Sequence, residues 1–296
     1  MLIDVSQDEL ERIAAAGSAE LSDALERGRI VHFPRCPIEL PGEDDLQFLR
    51  GLDAQLSRKN VSWYPDDDRL VGLKDAASAA RARALLKAHS ERVRALLARA
   101  LPRLWSGVRV GTSSFRPLQE KGRNLSLHAS NELIHVDAGA YGATHGDRIL
   151  RFFVNANASE DRVWASKGTF RELHAKHARQ AGVSGSVQPG PLDRALSAAL
   201  GAAARVSPKL KLIDTSPYDR LMRRFHNFMK DTPSFRESRD GLVELRFRPF
   251  SAWMVLTDAV SHACLSGQHA LVDTFVVPLA NCRLREEAPF HILASA

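Results

Sequence analysis

The chain has 296 residues, 44% hydrophobic and 26% charged, an ordinary globular balance that supports a sizeable core and excludes a disordered or fibrous chain. Cys36, Cys264 and Cys282 are an odd number at unrelated spacings, which excludes a disulfide framework and a zinc ribbon and fits a reducing cytosol. The net charge of +6 and pI near 9.5 favour anionic partners, but Lys and Arg are spread along the chain without a stripe or an aromatic platform, which argues against a nucleic-acid reader.

The N-terminus, MLIDVSQDELERIAAAGS, carries acids where a secretory signal needs bases and reads as an amphipathic helix. No run approaches the roughly 20 apolar residues that span a bilayer, so membrane contact is expected to be peripheral at most. Residues 8–27 keep a helical spacing through Leu10, Ile13, Leu21 and Leu25. A short strand at Arg29–Phe33 stops at Pro34, a second helix covers about 43–58, and Pro65 to Asp68 form a turn. A long Ala/Arg/Leu helix then runs from about 75 to 101 and ends at Pro102. Residues 1–106 thus read as a helical buttress with a few strands.

From Gly107 the period becomes that of strands: Val108–Thr112 with Ser113–Arg116 behind it, Asn131–Asp137, and Arg148–Asn155. In the last of these, Ile149, Arg151, Phe153 and Asn155 share one face and Arg148, Leu150, Phe152 and Val154 the other. A helical interlude at about 168–232, with Gly/Ser/Pro-rich joints at 182–186 and 188–191, precedes strands at Leu242–Phe247, Ala252–Leu256 and Leu271–Val277. Two batches of strands, 107–165 and 241–280, suggest one α+β domain over residues 1–296. Its core is expected to be a double-stranded β-helix, or jelly roll, with the interlude as an insertion.

The chemistry centres on His135-Val136-Asp137. On a strand, positions i and i+2 point the same way, so the imidazole and the carboxylate converge. His262, after the Ala252–Leu256 strand and before the turn Ser266-Gly267-Gln268, stands at the mouth of an expected hairpin and supplies a third corner. Two imidazoles and one carboxylate on one face hold non-haem Fe(II) and leave positions open for a co-substrate and O2. The structural alternative is a satisfied core histidine beside a turn-capping aspartate. An enzyme of this type that uses 2-oxoglutarate needs a cation for the distal carboxylate. Arg151, on an otherwise apolar face, is the first choice, unless it pairs with a protein carboxylate, and Arg148 is the second. Asn155 and Thr274 are further co-substrate contacts, or sheet residues. Arg116, Arg123 and Tyr141 are candidates for an acidic substrate. His128, His145, His174, His177 and His226 read as solvated or structural, and Cys264 as a small core thiol.

Several segments together resemble a known family. HVDA, GDRILRFFVNAN followed by Trp164, PYDRLMRRFHNFMK, SAWMVLTDAVSHACLSGQHALVDTF, and the earlier LERGRIVHFP and KNVSW are similar to the Kdo 3-hydroxylases. These are Fe(II)/2-oxoglutarate dioxygenases of lipopolysaccharide biosynthesis. The resemblance implies a jelly roll with iron on His135, Asp137 and His262, and C3 hydroxylation of Kdo in Kdo-lipid A at the cytoplasmic face of the inner membrane. The sequence departs from the family's pattern at Gly139 to Thr144, at Leu125 to Glu132 and at Leu271 to Phe275. These departures flank the metal ligands and leave open a related substrate, hydroxylation of a different small metabolite, or a non-catalytic binding role.

Overall fold

A computed structural model describes residues 1–139, 142–183, 187, 190–192, 195, 198–199 and 216–295. It is a mixed helix and sheet architecture. An eight-stranded sheet runs in the order β1-β2-β9-β6-β11-β5-β3-β4. Its strands are β1 (Leu2–Asp4), β2 (Ile30–Phe33), β3 (Val61–Tyr64), β4 (Arg69–Val71), β5 (Arg109–Arg116), β6 (Arg148–Asn155), β9 (Ala252–Leu256) and β11 (Ala270–Val277). A three-stranded sheet, β10-β7-β8, is built from β7 (Arg162–Ser166), β8 (Val243–Phe247) and β10 (Ala263–Ser266).

The alternation of β6 divides the interior. Leu150, Phe152 and Val154 join the core beneath α4 (Ala76–Ala100), together with Leu86, Val93 and Leu97. Phe153, on the opposite face, packs with Trp164, Trp253, Phe247 and Val272 between the two sheets. Trp253 stacks on Phe153 with ring centroids 5.1 Å apart, and Trp164 meets Phe153 edge-on at 4.8 Å. Such aromatic pairs add about 0.5–1.5 kcal/mol each beyond their burial. The expected alternation of β6 is therefore observed, and the strand pairs on both sides, with Arg151 opposite Thr274 on β11 and Val255 on β9.

Helix α4 starts at Asp75, whose carboxylate accepts the Ser78 N–H at 2.6 Å. The helical spacing over 8–27 is divided between two helices, α1 (Gln7–Ala15) and α2 (Glu20–Glu26). Gly17 breaks it with φ +57°, a conformation cheap only for glycine. The 43–58 helix shortens to α3 (Glu43–Arg50) followed by a 3₁₀ turn. The interlude supplies α5 (Phe170–Ala181), α6 (Pro217–Asp231) and α7 (Pro233–Glu237), and α8 (Pro289–Ala294) closes the chain. Most of the joints expected at 182–191 lie outside the described residues. In α6, Pro217 occupies the first turn and a reciprocal Ser216/Asp219 capping box seals the start. Asp219 also accepts the Thr144 N–H at 2.8 Å, tying down the segment that follows His-x-Asp. No described helix is long and apolar enough to cross a membrane.

Candidate metal centre

His135 and Asp137 lie on an extended segment rather than in a sheet strand, which corrects the expected Asn131–Asp137 strand. The segment pairs with the chain after β9 through a single antiparallel bridge, His135↔His262. His135 N–H donates to His262 O at 3.0 Å, and His262 N–H donates to His135 O at 2.8 Å. Two residues on, Asp137 N–H donates to Thr257 O at 2.9 Å. The i, i+2 convergence thus survives without a regular strand. The turn after β10 does not close a hairpin either: β10 belongs to the small sheet and β11 to the large one, so His262 stands where the chain passes between the sheets.

Ligand atoms of His135, Asp137 and His262 lie within 4.8 Å of one another. The His135 and His262 ring centroids are 4.6 Å apart, and His135 Nε2 is 4.0 Å from Asp137 Oδ1. Each Nδ1 lies against a main-chain carbonyl, Leu133 O at 2.7 Å for His135 and Val260 O at 3.0 Å for His262. A carbonyl only accepts, so each Nδ1 carries the proton and each Nε2 is left as a bare donor, the tautomer a metal requires.

The electrostatics agree. Burial holds both imidazoles below the ordinary histidine value, aided at His135 by its neighbour His262, so both are neutral at pH 7. Burial alone would raise the Asp137 carboxyl, yet Arg151, His262 and His135 hold it well below the usual carboxylate range. Arg151 Nη2 is 3.0 Å from Asp137 Oδ2.

The inner face next to this cluster is rich in donors. Arg116, on β5, lies over the Phe153 ring at 5.9 Å. Arg116, Arg123 and Arg162 approach the single carboxylate of Glu120 at 3.8, 3.6 and 3.4 Å. Arg116 Nε, Arg151 Nε, Arg162 Nε and Nη1, and Trp164 Nε1 are buried with no acceptor among the described residues. Trp164 also stacks on the His262 ring, centroids 5.3 Å apart. Gly267 lets the Arg162 stem pass, since a Cβ there would lie 2.6 Å from Arg162 Cγ.

The remaining sequence candidates fall into place as follows. Thr274 is buried opposite Arg151 and so on its face. Arg148 belongs to the other face of β6 and pairs with Asp258 at 2.6 Å, fully buried. That pairing commits its guanidinium and corrects its reading as a second co-substrate cation. Asn155 donates to Glu160 O and Phe247 O, both at 2.9 Å, the structural alternative for that residue. Arg123 reaches Glu120, and Tyr141 lies outside the described residues. His226, read from sequence as solvated or structural, lies beside His135. Its ring is 5.1 Å from that of His135, and its Nδ1 lies 2.7 Å from Val136 O. The signal was the helical spacing of Arg223, His226, Asn227 and Lys230, which share one face of α6.

The family profile described as 3-deoxy-D-manno-oct-2-ulosonic acid (Kdo) hydroxylase matches residues 9–296. The chain belongs to the Kdo hydroxylase family. Among solved structures, the apo form of a Kdo hydroxylase, KdoO, described as a non-heme Fe(II) alphaketoglutarate dependent dioxygenase, is 26% identical with a TM-score of 0.81. The alignment covers 99% of this chain and 95% of that one. Structures of KdoO with alphaketoglutarate and Fe(III), and with cobalt(II), match to the same degree. No curated protein sequence matches significantly. In this Kdo hydroxylase the donor set itself suits a metal: two neutral imidazoles with fixed tautomers and an ionised carboxylate are the two-histidine, one-carboxylate set of non-haem Fe(II) oxygenases.

Proposed function

We propose that the chain hydroxylates C3 of Kdo in Kdo-lipid A as an Fe(II)- and 2-oxoglutarate-dependent dioxygenase. The observation that carries this is the pairing of the His135, Asp137 and His262 cluster with the buried donors around Arg116, Arg151 and Arg162. His135 Nε2, Asp137 and His262 Nε2 would hold Fe(II), with Leu133 O and Val260 O orienting the two imidazoles. Bound iron supplies the oxidation in which 2-oxoglutarate and O2 give succinate and CO2 while one oxygen atom enters a C–H bond.

The protein's part is binding and orientation. Donors without acceptors in a buried space are costly unless an anion meets them. Arg116, Arg162 and Trp164 therefore offer the 2-oxoglutarate carboxylates a prepared site, with Arg151 and Thr274 facing the same space. Arg151 serves two carboxylates, since it also restrains Asp137. The two sheets around this space read as the double-stranded β-helix of such oxygenases, within a single elaborated domain. Peripheral contact at the cytoplasmic face of the inner membrane suits a lipid-linked substrate and a basic chain.

The reading is tested by anaerobic addition of Fe(II) and 2-oxoglutarate to the full chain, then O2 and Kdo-lipid A. A weak visible charge-transfer band, succinate release and a gain of one oxygen atom on the lipid are expected, with all three lost in His135→Ala and His262→Ala. A protein that neither forms the band nor releases succinate is not a dioxygenase of this kind.

A further inference from the structure

Beside the metal ligands, a pocket of about 380 Å³ opens between two walls. One wall is Asp137, Ala138, Gly139 and Gly142; the other is Arg223, His226 and Asn227 from α6. Among the described residues of the first wall, Gly139 and Gly142 carry no side chain. The second is polar because α6 turns its apolar residues, Met222, Phe225, Phe228 and Met229, into the core. The volume is at the small end of ligand sites and suits a monosaccharide better than an extended chain.

Arg223 differs from the other cations near the metal centre. Arg151 already meets Asp137, Arg116 and Arg162 share Glu120, and Arg224 donates to Gly182 O at 2.8 Å. Lys230 donates to His128 O and Ser130 O at 3.1 and 2.9 Å. Arg223 is exposed at the pocket and has no carboxylate or carbonyl partner among the described residues. Asp137 lines the same pocket, so a group held at its rim lies close to the metal ligands. The Arg223 guanidinium offers there a planar fork that matches a carboxylate.

We propose that Arg223 binds the substrate's carboxylate, with Asn227 one residue-face further along α6 meeting sugar hydroxyls. The inference rests on the Kdo hydroxylase reading above and assigns the residue that reads the acid. In a 3-deoxy-2-ulosonic acid the carboxylate is C1 and the methylene is C3, joined through C2. Gripping C1 therefore fixes where C3 lies relative to Asp137, so one contact sets both affinity for the acidic sugar and the position oxidised.

The test compares wild type, Arg223→Gln and Arg223→Lys, as full-length Fe(II)-loaded protein, on Kdo-lipid A and on the same lipid with the Kdo carboxylate methylated. A charge-assisted hydrogen bond is worth about 1.5–3 kcal/mol, so R223Q is expected to raise KM for the acid by roughly 10- to 100-fold. Anaerobic equilibrium binding of the lipid weakens by the same factor, while 2-oxoglutarate affinity read from the charge-transfer band is unchanged. Methylation penalises wild type by that factor and R223Q by little; R223K is intermediate. Succinate release exceeds lipid oxidation in R223Q because a loosely held sugar is oxidised less often per turnover. A KM for the acid within twofold of wild type, or an equal methylation penalty in both proteins, overturns the Arg223 assignment and leaves the Kdo reading intact. Wild-type protein that consumes 2-oxoglutarate without oxidising Kdo-lipid A overturns the Kdo reading, and this assignment with it.

Discussion

Replacing Asp258 by Asn tests how the metal centre is anchored to the sheet. Asp258 Oδ2 accepts Arg148 Nε at 2.6 Å, and Oδ1 accepts the Ile149 N–H at 3.2 Å. Arg148 and Asp258 are both essentially free of solvent. Next to them, Thr257 N–H donates to Ile149 O at 2.9 Å and Thr257 O accepts Asp137 N–H at 2.9 Å. Asp258 therefore clamps the segment that runs to His262 onto β6, and through Thr257 it sets Asp137. Asn is isosteric, so no cavity forms; what is lost is the charge that neutralises a buried guanidinium. Removing one partner of such a pair costs about 3–5 kcal/mol, against a total stability of about 5–15 kcal/mol. Urea unfolding at constant m-value should show that loss. Fe(II) affinity, read by chelator competition, should fall about tenfold, the lower range for residues supporting metal ligands. Arg148→Met in the D258N background should recover part of the stability, because no unpaired charge remains. A loss under about 1 kcal/mol, or a double variant no more stable than the single, refutes the electrostatic account. Full destabilisation with unchanged Fe(II) affinity refutes the link to the metal centre.

Arg151→Met should raise KM for 2-oxoglutarate by roughly 10- to 100-fold in steady-state succinate assays, from the loss of one charge-assisted contact; an unchanged KM would leave Arg151 with Asp137 alone. Burial lowers the Lys230 ammonium from 10.5 to about 8, with Asp137 and Asp231 opposing. Between those values the unfolded chain binds more protons than the folded one, so the Lys230 contribution makes stability rise with pH from about 8 to 10.5, and its cost is fully present below 8. Urea midpoints of chelator-treated protein should show that rise, and Lys230→Met should flatten it. Co(II) at a hundred times its Kd should stabilise the folded chain by about 2.7 kcal/mol in thermal unfolding, with no such gain in His262→Ala.

The sequence carried the site where its geometry is local and lost it where it is not. The β6 alternation assigns Phe153 and Arg151 to the inner face because a strand has a period of two. His-x-Asp needs no sheet to converge, so the absence of a regular strand at 131–137 left the pairing intact. His262 was legible as a candidate ligand through the chain-long resemblance and its place after β9. By contrast, β7 and β10 were missed: they are short, and their identity as strands depends on pairing with each other and with β8. Arg148 and Arg151 differ by only three residues, yet one meets Asp258 and the other Asp137. That choice follows from strand face, which the alternation gave, and from the carboxylate each meets, one of them more than a hundred residues away at Asp258, which it did not. The loose sharing of Glu120 by three arginines is likewise invisible until β5, β7 and the intervening loop come together.

The reciprocal main-chain bonds between His135 and His262 have a thermodynamic corollary. The two residues are more than a hundred positions apart, and bringing such distant segments together has an entropic cost that grows slowly with the intervening length. Folding meets that cost through amide–carbonyl bonds that need no ion. Cation affinity therefore need not supply the closure of the chain, and the ion exchange rate is decoupled from any large rearrangement of the sheets. Metal capture by this protein should accordingly resemble filling a finished socket, with association kinetics set by ligand dehydration and access from the α6 side.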